Sequence, residues 1–405
     1  MFKMFQGMSA EVKGLSFVSF FVAVGFGVQS PALPVFANEL NAGSTALGAM
    51  IAAFALTRLI TAWPFGKLIG RWGERRTLSA GMVLLAITSI ASGLSENGTQ
   101  LIIFRGLSGV GSAAFSVSAL SLIIRASEPD SRGRTMGLFM GAMNLGFVAG
   151  PALGGALLFM PPRWIFLLYG VAVALTGLLA MRVMEKDHGE PAEKRAGGAP
   201  ALTVIDAFRT GVFHVASFTN VALGWIVYGM RASVLPMMLL TELHEGPKWI
   251  GAGLAICALL QVVILPYAGR LTDVWGRRSP LIVGELLLAL SLILLWLSPS
   301  LVSYLICMAV MGVGAALCTT ASSAAVGDIT GGGSGGTVVA VYQMSADFGM
   351  VIGPLVAGYL AEKSFTAALL VSAGVAVLGA VLAAFMPRVT KKEIPKPTTK
   401  EATAA

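Results

Sequence analysis

Apolar runs of about 20 residues, separated by short polar segments, dominate this sequence. A helical run of that length crosses the roughly 30 Å hydrocarbon core of a bilayer. The pattern therefore predicts an all-α integral membrane protein, because a helix satisfies its own backbone hydrogen bonds in lipid. Twelve runs are present, near residues 14–37, 45–65, 78–95, 99–125, 135–159, 164–183, 212–241, 249–268, 280–297, 301–325, 337–361 and 366–386.

Two short sequence blocks each occur twice with the same spacing. Gly66–Arg76 returns as Gly269–Arg278, and Gly146–Gly155 returns as Gly349–Gly358, both after 203 residues. Two blocks that share one offset indicate an internal duplication, which is common in secondary transporters. The twelve helices are thus predicted to form two pseudo-symmetric halves of six.

The longest polar interruption separates the two repeats. Residues 184–200 are rich in charge and glycine, a composition typical of a flexible linker. We predict an N-terminal bundle at 1–183, a linker at 184–211, a C-terminal bundle at 212–387 and a disordered tail at 388–405.

Composition and charge agree with a membrane location. The chain is 56% hydrophobic and 12% charged, with a mean hydropathy of +0.81, whereas a soluble domain needs more surface charge. Of the 28 lysines and arginines, 22 fall on one side of the predicted topology and 3 on the other. Because basic loops are retained inside, both termini are predicted to be cytoplasmic, in a cell (inner or plasma) membrane. The net charge of +8 reflects this topology, and nucleic-acid binding is not predicted.

No cofactor, metal or enzymatic site is predicted. The cysteines fall inside predicted helices, the histidines are dispersed, and no phosphate-binding loop occurs. These residues are Cys257, Cys307, Cys318, His188, His214 and His244.

The duplicated loops, the segment Arg105–Gly111 of the fourth helix and the block Gly146–Gly155 of the fifth helix resemble the major facilitator superfamily. The fifth-helix block is similar to the antiporter motif of drug and proton exchangers in that superfamily. The resemblance implies a transporter that works by alternating access, and it associates Arg105 with proton transfer.

The duplicated loops are predicted to act as gates. Glycines permit tight turns, and arginines hold the loops on the inner face. In the superfamily, the loop aspartate latches against a helix start in the opposite half; here the first copy has Gly70 at that place and only the second copy keeps Asp273. The alternative is that the loops only anchor the topology. The predicted gating residues are Gly66, Gly73, Arg75, Arg76, Gly269, Asp273, Gly276, Arg277 and Arg278.

Small residues four apart allow two membrane helices to approach closely, and a proline adds a local bend. This spacing predicts a hinge or a dry packing seam in each half, the alternative being an ordinary close-packed interface. The residues concerned are Gly146, Gly150, Pro151, Gly154, Gly155, Gly353, Pro354 and Gly358.

Polar side chains at membrane depth are costly and commonly line a cavity. We predict a central substrate cavity between the halves, because several of these residues occupy equivalent positions in the two repeats. They are Gln29, Arg58, Asn144, Arg231 and Gln261. With three interior arginines, counting Arg105, against one or two acids, the cavity favours anionic, zwitterionic or neutral substrates over dications.

Asp347 is the carboxylate that the pattern places deepest in a helix, and we predict that it is the protonation switch. The predicted proton-coupling residues are therefore Asp347 and Arg105. Arg58 and Arg231 are its candidate partners, because isolated buried charges are unfavourable. A static pair that only fixes helix packing is the alternative. Glu285 lies closer to the basic loops and is expected to pair with their arginines.

These features predict a monomeric transporter that exports small amphipathic molecules in exchange for protons. One alternative is a proton-coupled importer or facilitator of a small metabolite, since alternating access is reversible. Another is a membrane sensor built on the same fold that transports nothing. The predicted partners are a small-molecule substrate, protons and the lipid bilayer.

Overall fold

The computed structural model describes residues 10–125, 132–183, 204–330 and 336–387, and every regular element in these ranges is helical. A π-helical turn, Gly224–Gly229, and a 3₁₀ turn, Met230–Ala232, join α8 to α9, so residues 211–241 form one span. The helices are α1 Ala10–Glu39, α2 Ser44–Trp72, α3 Glu74–Gly93, α4 Gly98–Arg125, α5 Arg132–Ala156, α6 Pro162–Val183, α7 Val204–Phe208, α8 Gly211–Leu223, α9 Val234–Thr241, α10 Lys248–Val274, α11 Arg278–Leu297, α12 Leu301–Thr330, α13 Gly336–Lys363 and α14 Phe365–Ala384.

The predicted all-α membrane fold is confirmed. Within the described ranges, eleven spans are long and apolar enough to cross a membrane. The fifth predicted span forms α5, a helix of 25 residues that is not one of the eleven, and many of its side chains lie outside the described part of the chain. Residues 184–203 of the predicted linker and the predicted tail at 388–405 lie outside the described residues, while the end of the linker carries the short helix α7.

The two halves repeat one packing scheme. In the first half, α1 packs against α5 and α6, and α4 packs against α2 and α3. In the second half, α13 packs against α8 and the π-helical turn, and α12 packs against α10 and α11. Helices α2 and α10 are equivalent, as are α5 and α13, because each pair is related by the 203-residue offset.

The halves meet along two equivalent interfaces, α2 with α13 and α5 with α10. We call the end with the α2–α3 and α10–α11 loops the basic end, and the opposite end the far end. In the far half of the bundle the contacts are backbone to backbone. A Cβ on Gly48 would lie 2.2 Å from the Pro354 carbonyl oxygen, and one on Gly155 would lie 2.5 Å from the Gly251 Cα. The far end is therefore closed.

The same helices separate towards the basic end. None of the described residues 59–69 of α2 is buried, and none of residues 262–267 of α10 is buried. The space around the Cβ positions of Gly66 and Gly269 is empty to 4 Å. The bundle is consequently open at its basic end.

Candidate functional site: an ion pair between the two halves

Arg58 and Asp347 form a bidentate ion pair between the two halves of the bundle. The Arg58 Nε donates to Asp347 Oδ2 at 3.1 Å, and Arg58 Nη2 lies 3.0 Å from Oδ1. Arg58 is on α2 and Asp347 is on α13, so the pair spans one of the two interfaces. The side chains are 26% and 11% exposed respectively. Of the two predicted candidates, the partner of Asp347 is Arg58.

The α2–α13 interface continues from this pair to the far end. There, Glu362 Oε1 accepts a hydrogen bond from the Thr45 backbone N–H at 3.2 Å. Gly43 precedes α2 and has no side chain to cap the helix, so a carboxylate from the other half satisfies one of its free N–H groups. Carboxylates on α13 thus contact α2 both at the centre and at the far end.

Arg105 lies within the first half and has partners of a different kind. Its Nη1 donates to Gln29 Oε1 at 2.8 Å, and its guanidinium lies 4.8 Å from the ring centre of Phe54 and 5.6 Å from that of Phe26. Both Arg105 and Gln29 are buried. The structure therefore brings together a predicted proton-coupling residue and a predicted cavity residue.

Arg231 lies in the 3₁₀ turn of the seventh span and is also buried. Its Nη1 donates to the Cys257 sulfur on α10 at 3.2 Å. Gln261, one helical turn after Cys257, is buried as well. The Asn144 side chain, on α5, is not among the described side chains. The predicted cavity residues are thus divided among an interface between the halves and the interiors of the halves.

A pocket in the first half opens beside Arg58, and we call it the aromatic pocket. Aromatic rings form much of its wall, and serines on α1 and α4 add hydroxyl groups. Its lining consists of Ser19, Val22, Ala23, Phe26, Arg58, Ser112, Phe115, Ser116, Met143, Phe147 and Tyr169. Apart from Arg58, sequence reasoning missed these residues, because aromatic side chains in an apolar helix have the same pattern whether they face a cavity or a neighbour.

The duplicated loops turn at glycines with positive φ. Gly73 has φ 82° and Gly276 has φ 78°, a conformation that favours glycine. Beside Gly73, the Arg75 guanidinium donates to the Met181 carbonyl of α6. The exposed Arg76 and the half-buried Arg278 complete the basic character of this end.

Arg277 anchors the second loop to α12. Its Nε and Nη2 donate to the two Asp328 carboxylate oxygens at 2.8 and 3.2 Å, and its Nη1 lies 3.1 Å from Asp273 Oδ1. The hydrogen bond to Asp328 raises the pKa of Arg277 above its ordinary value. Asp273 is thus paired within its own loop. This arrangement accords with a basic end at which the halves stand apart.

The packing glycines bring helices into backbone contact. A Cβ on Gly150 would lie 2.4 Å from the Val24 carbonyl oxygen, and one on Gly349 would lie 2.0 Å from the Val221 carbonyl oxygen. Gly146 and Gly154 likewise face α1, and Gly353 faces Trp225 in the seventh span. Gly155 and Gly358 instead contact the opposite half, and the Pro151 and Pro354 rings pack on Gly27 and Gly229.

The expectation for Glu285 is wrong. The side chain is fully buried among α8, α11, α12 and α14, beside Thr219, Cys318 and Gly379. Among the described residues it forms no ion pair, and neither carboxylate oxygen has a hydrogen-bond partner. Of the loop arginines, Arg277 is instead bound by Asp328.

The Major Facilitator Superfamily model matches residues 15–260 and 218–405 of this sequence. The chain belongs to the Major Facilitator Superfamily. It is therefore a multi-pass membrane protein of a family of transporters, and a small-molecule substrate follows from that membership. The predicted resemblance is confirmed.

Curated members of the superfamily resemble the chain over most of its length. It is 26% identical to Multidrug resistance protein 1 of Bacillus subtilis, over 84% of this chain and 87% of that protein. It is 24% identical to the Quinolone resistance protein NorA of Staphylococcus aureus, over 93% of this chain and 96% of that protein.

Solved structures of the superfamily share the fold. A bacterial homologue of the human lysosomal transporter Spinster, inward-facing and occupied, matches with a TM-score of 0.75 at 16% identity, covering 94% of this chain and 98% of that one. The unoccupied inward-facing form of that homologue matches with a TM-score of 0.71 at 17% identity, covering 92% and 94% of the two chains.

Proposed function

We propose that this superfamily member exports small amphipathic molecules across the cell membrane in exchange for protons. The observation that carries the proposal is the Arg58–Asp347 ion pair, which joins the two halves at membrane depth. The names of the relatives, a multidrug resistance protein and a quinolone resistance protein, support export of organic molecules.

The ion pair supplies a site at which proton binding changes the contact between the halves. Protonation of Asp347 removes the negative charge that holds Arg58, and the attraction between α2 and α13 falls with it. In the present arrangement, closed at the far end, the pair is intact. A substrate that binds Arg58 weakens the pair and favours opening of the far end, where Asp347 takes up a proton from outside. The return to the present arrangement restores the pair and releases that proton to the cytoplasm.

The lining of the aromatic pocket has the chemistry that an amphipathic molecule needs, but the cavity of about 20 Å³ has room only for water and must widen to admit a substrate. Phe26, Phe115 and Phe147 offer apolar surface, while Arg58 and the serines offer polar groups that fix orientation. Ligand sites commonly combine a mostly apolar wall with a few placed polar groups. Arg58 belongs both to this pocket and to the ion pair. Substrate binding in the pocket and protonation of Asp347 therefore both change the contacts of Arg58.

We assign the basic end to the cytoplasm, which places both termini inside. The excess of lysine and arginine in the loops of this end supports the orientation. The arrangement described above then faces the cytoplasm, and Glu362 lies at the outer surface. We also propose that the chain acts as a monomer, with one polar centre between its two halves.

Proton movement in proteoliposomes tests the function. Vesicles that contain a pH-sensitive dye and an acidic interior are mixed with ethidium, a quinolone or pyrenebutyrate. Exchange raises the interior pH when substrate is added, whereas symport lowers it. Wild type is expected to raise the pH with at least one substrate, and Asp347→Asn is expected to abolish this response.

Glu285→Gln is the matched control, because it also removes one buried carboxylate but lies outside the interfaces between the halves. It should keep the substrate-triggered response. An Asp347→Asn variant with a normal response would overturn the coupling role of Asp347, and acidification by wild type would replace exchange with symport.

A further inference from the structure

We propose that Arg231 forms a subsite for a negatively charged group of the substrate, most simply a carboxylate. The inference rests on the proposed function and names its substrate class: amphipathic acids and zwitterions rather than simple lipophilic cations.

The first observation is that the Arg231 charge is uncompensated. Of the three interior arginines, only Arg58 has a carboxylate partner in the part of the chain that the structure describes. The one hydrogen-bond acceptor of Arg231 there is the Cys257 sulfur, which is a weak acceptor, and its Nε has no partner. A guanidinium stays charged and offers five donors. Burial in this form is unfavourable unless an anion joins it.

Arg105 shows how the same group is accommodated when it has a structural partner. Its guanidinium, although its Nε is also without a partner, donates to the Gln29 amide oxygen and lies over the ring of Phe54. An amide oxygen and an aromatic face both attract a cation. Arg231 has only the thiol as an acceptor, so more of its N–H donors are left without a good acceptor than those of Arg105.

The second observation is that further hydroxyl groups lie around Arg231. The Tyr304 hydroxyl has no hydrogen-bond partner and packs on Gly253, one turn before Cys257. It lies within electrostatic range of Arg231. Tyr228 lies within electrostatic range of both Arg231 and Arg58. A carboxylate at Arg231 would therefore have phenolic donors nearby, and one of them, Tyr228, also lies towards Arg58 of the ion pair.

The backbone at Arg231 is irregular. The π-helical turn and the 3₁₀ turn interrupt the seventh span here, and such interruptions are frequent at functional sites of membrane transporters. The substrate anion would supply the charge that this half lacks. A substrate ammonium group, if present, would be free to interact with Asp347 and would compete there with the proton, as exchange requires.

A matched series of ligands tests the subsite directly. Tritiated pyrenebutyrate, its methyl ester and pyrenebutyl-trimethylammonium are bound to the full-length protein in detergent by equilibrium dialysis. Wild type is expected to prefer the acid over the ester by about tenfold or more, because a hydrogen-bonded charge pair contributes that much. Arg231→Gln should remove the preference and leave ester binding within about twofold, while Arg231→Lys keeps part of it.

Cys257→Ala is a second probe, since it removes the thiol without touching the guanidinium. It should retain the preference for the acid. Each ligand is also measured with protein-free micelles and that background is subtracted, because the acid, the ester and the cation partition differently into detergent.

Equal binding of acid and ester by wild type, tightest binding of the cation, or no binding of the acid would each overturn the subsite. So would an Arg231→Gln variant that weakens all three ligands alike, because that indicates a structural role. If Arg231→Gln is not recovered as monodisperse protein, the test uses the acid-to-ester binding ratios of the other proteins. The subsite then requires a high ratio in wild type and Cys257→Ala and a lower ratio in Arg231→Lys. Substrate-triggered alkalinisation with the ester or the cation, but not the acid, would keep the exporter and reject only the subsite.

Discussion

The two halves of the molecule share a backbone scheme but differ in their polar residues. Gly48 and Gly251 are repeat equivalents, and each lies in backbone contact with the opposite half. Polar positions at the two interfaces differ: α2 carries Arg58 where α10 carries Gln261, and α13 carries Asp347 where α5 carries Asn144. One interface between the halves therefore has an ion pair and the other has two amide residues at the equivalent positions.

The same divergence occurs at the basic end. Glu74 and Arg277 are equivalent in the two loops, and Arg125 and Asp328 are equivalent on α4 and α12, so the charges are exchanged. Close packing leaves little room for change at the contact glycines, where Gly154 corresponds to the small Ala357, whereas a charge needs only an opposite partner. The comparison teaches that the two repeats share a symmetric frame, whereas within the described residues only the α2–α13 interface carries an ion pair.

Moving the ion pair to the other interface tests this asymmetry most strongly. The double variant Arg58→Gln, Asp347→Asn should lose the substrate-triggered proton response. Adding Gln261→Arg and Asn144→Asp places the charges at the equivalent positions of α10 and α5, and part of the response is expected to return. The measurement is the interior pH of proteoliposomes.

A folded four-site variant without any response would show that the interfaces are not interchangeable. The position of Arg58 beside the aromatic pocket would then matter as much as the charge itself.

Bulk at the packing glycines tests the shared frame. Gly150→Leu and Gly353→Leu should each destabilise the protein by about 1–3 kcal/mol, because each side chain enters a backbone contact. Gly154→Ala should also destabilise, whereas its repeat equivalent is already Ala357. Thermal unfolding in detergent measures the effect. Gly374→Ala, where a Cβ meets open space in the middle of α14, is the control and should not lower the unfolding temperature. A large fall in unfolding temperature for only one of Gly150→Leu and Gly353→Leu would show that the two halves do not depend equally on this packing.

The exchanged charges at the basic end predict a smaller effect. Arg277→Gln should destabilise the second loop by about 1 kcal/mol, because the ion pair with Asp328 is partly exposed. The swap Arg277→Asp with Asp328→Arg should recover most of that loss when Asp273→Asn is added, because the new carboxylate would otherwise lie beside Asp273. Failure of the swap, with unfolding temperatures no higher than those of Arg277→Gln, would assign the role to geometry rather than charge.

The smallest effect is expected at the far end. Glu362→Gln keeps an acceptor for the Thr45 N–H but removes its charge, which should weaken closure by a few tenths of a kcal/mol. The measurement is the rate at which a membrane-impermeant maleimide labels a Gly43→Cys protein. This rate should be slightly higher when Glu362→Gln is also present than when Glu362 is kept. Glu242→Gln, in another loop of the far end, should not change the rate.

Much of the fold follows from the sequence because the relevant signals are local or repetitive. Apolar run length predicts the spans, a constant offset reveals the duplication, and the arginines of the loops indicate a topology. The positive φ at Gly73 and Gly276 has the same origin, since a tight turn between two helices selects glycine. These properties depend on chain order and on water or lipid as solvent, so no knowledge of neighbours is needed.

The tertiary structure alone decided which polar groups meet. Asp347 had two candidate arginines, and helix rotation gave it Arg58, while the irregular seventh span turned Arg231 towards Cys257 in its own half. Glu285 was assigned to the basic loop by its position in the sequence but lies buried among four helices. The physical reason is that a long side chain reaches several neighbours from one backbone position. Only the packed arrangement of all the helices selects among them.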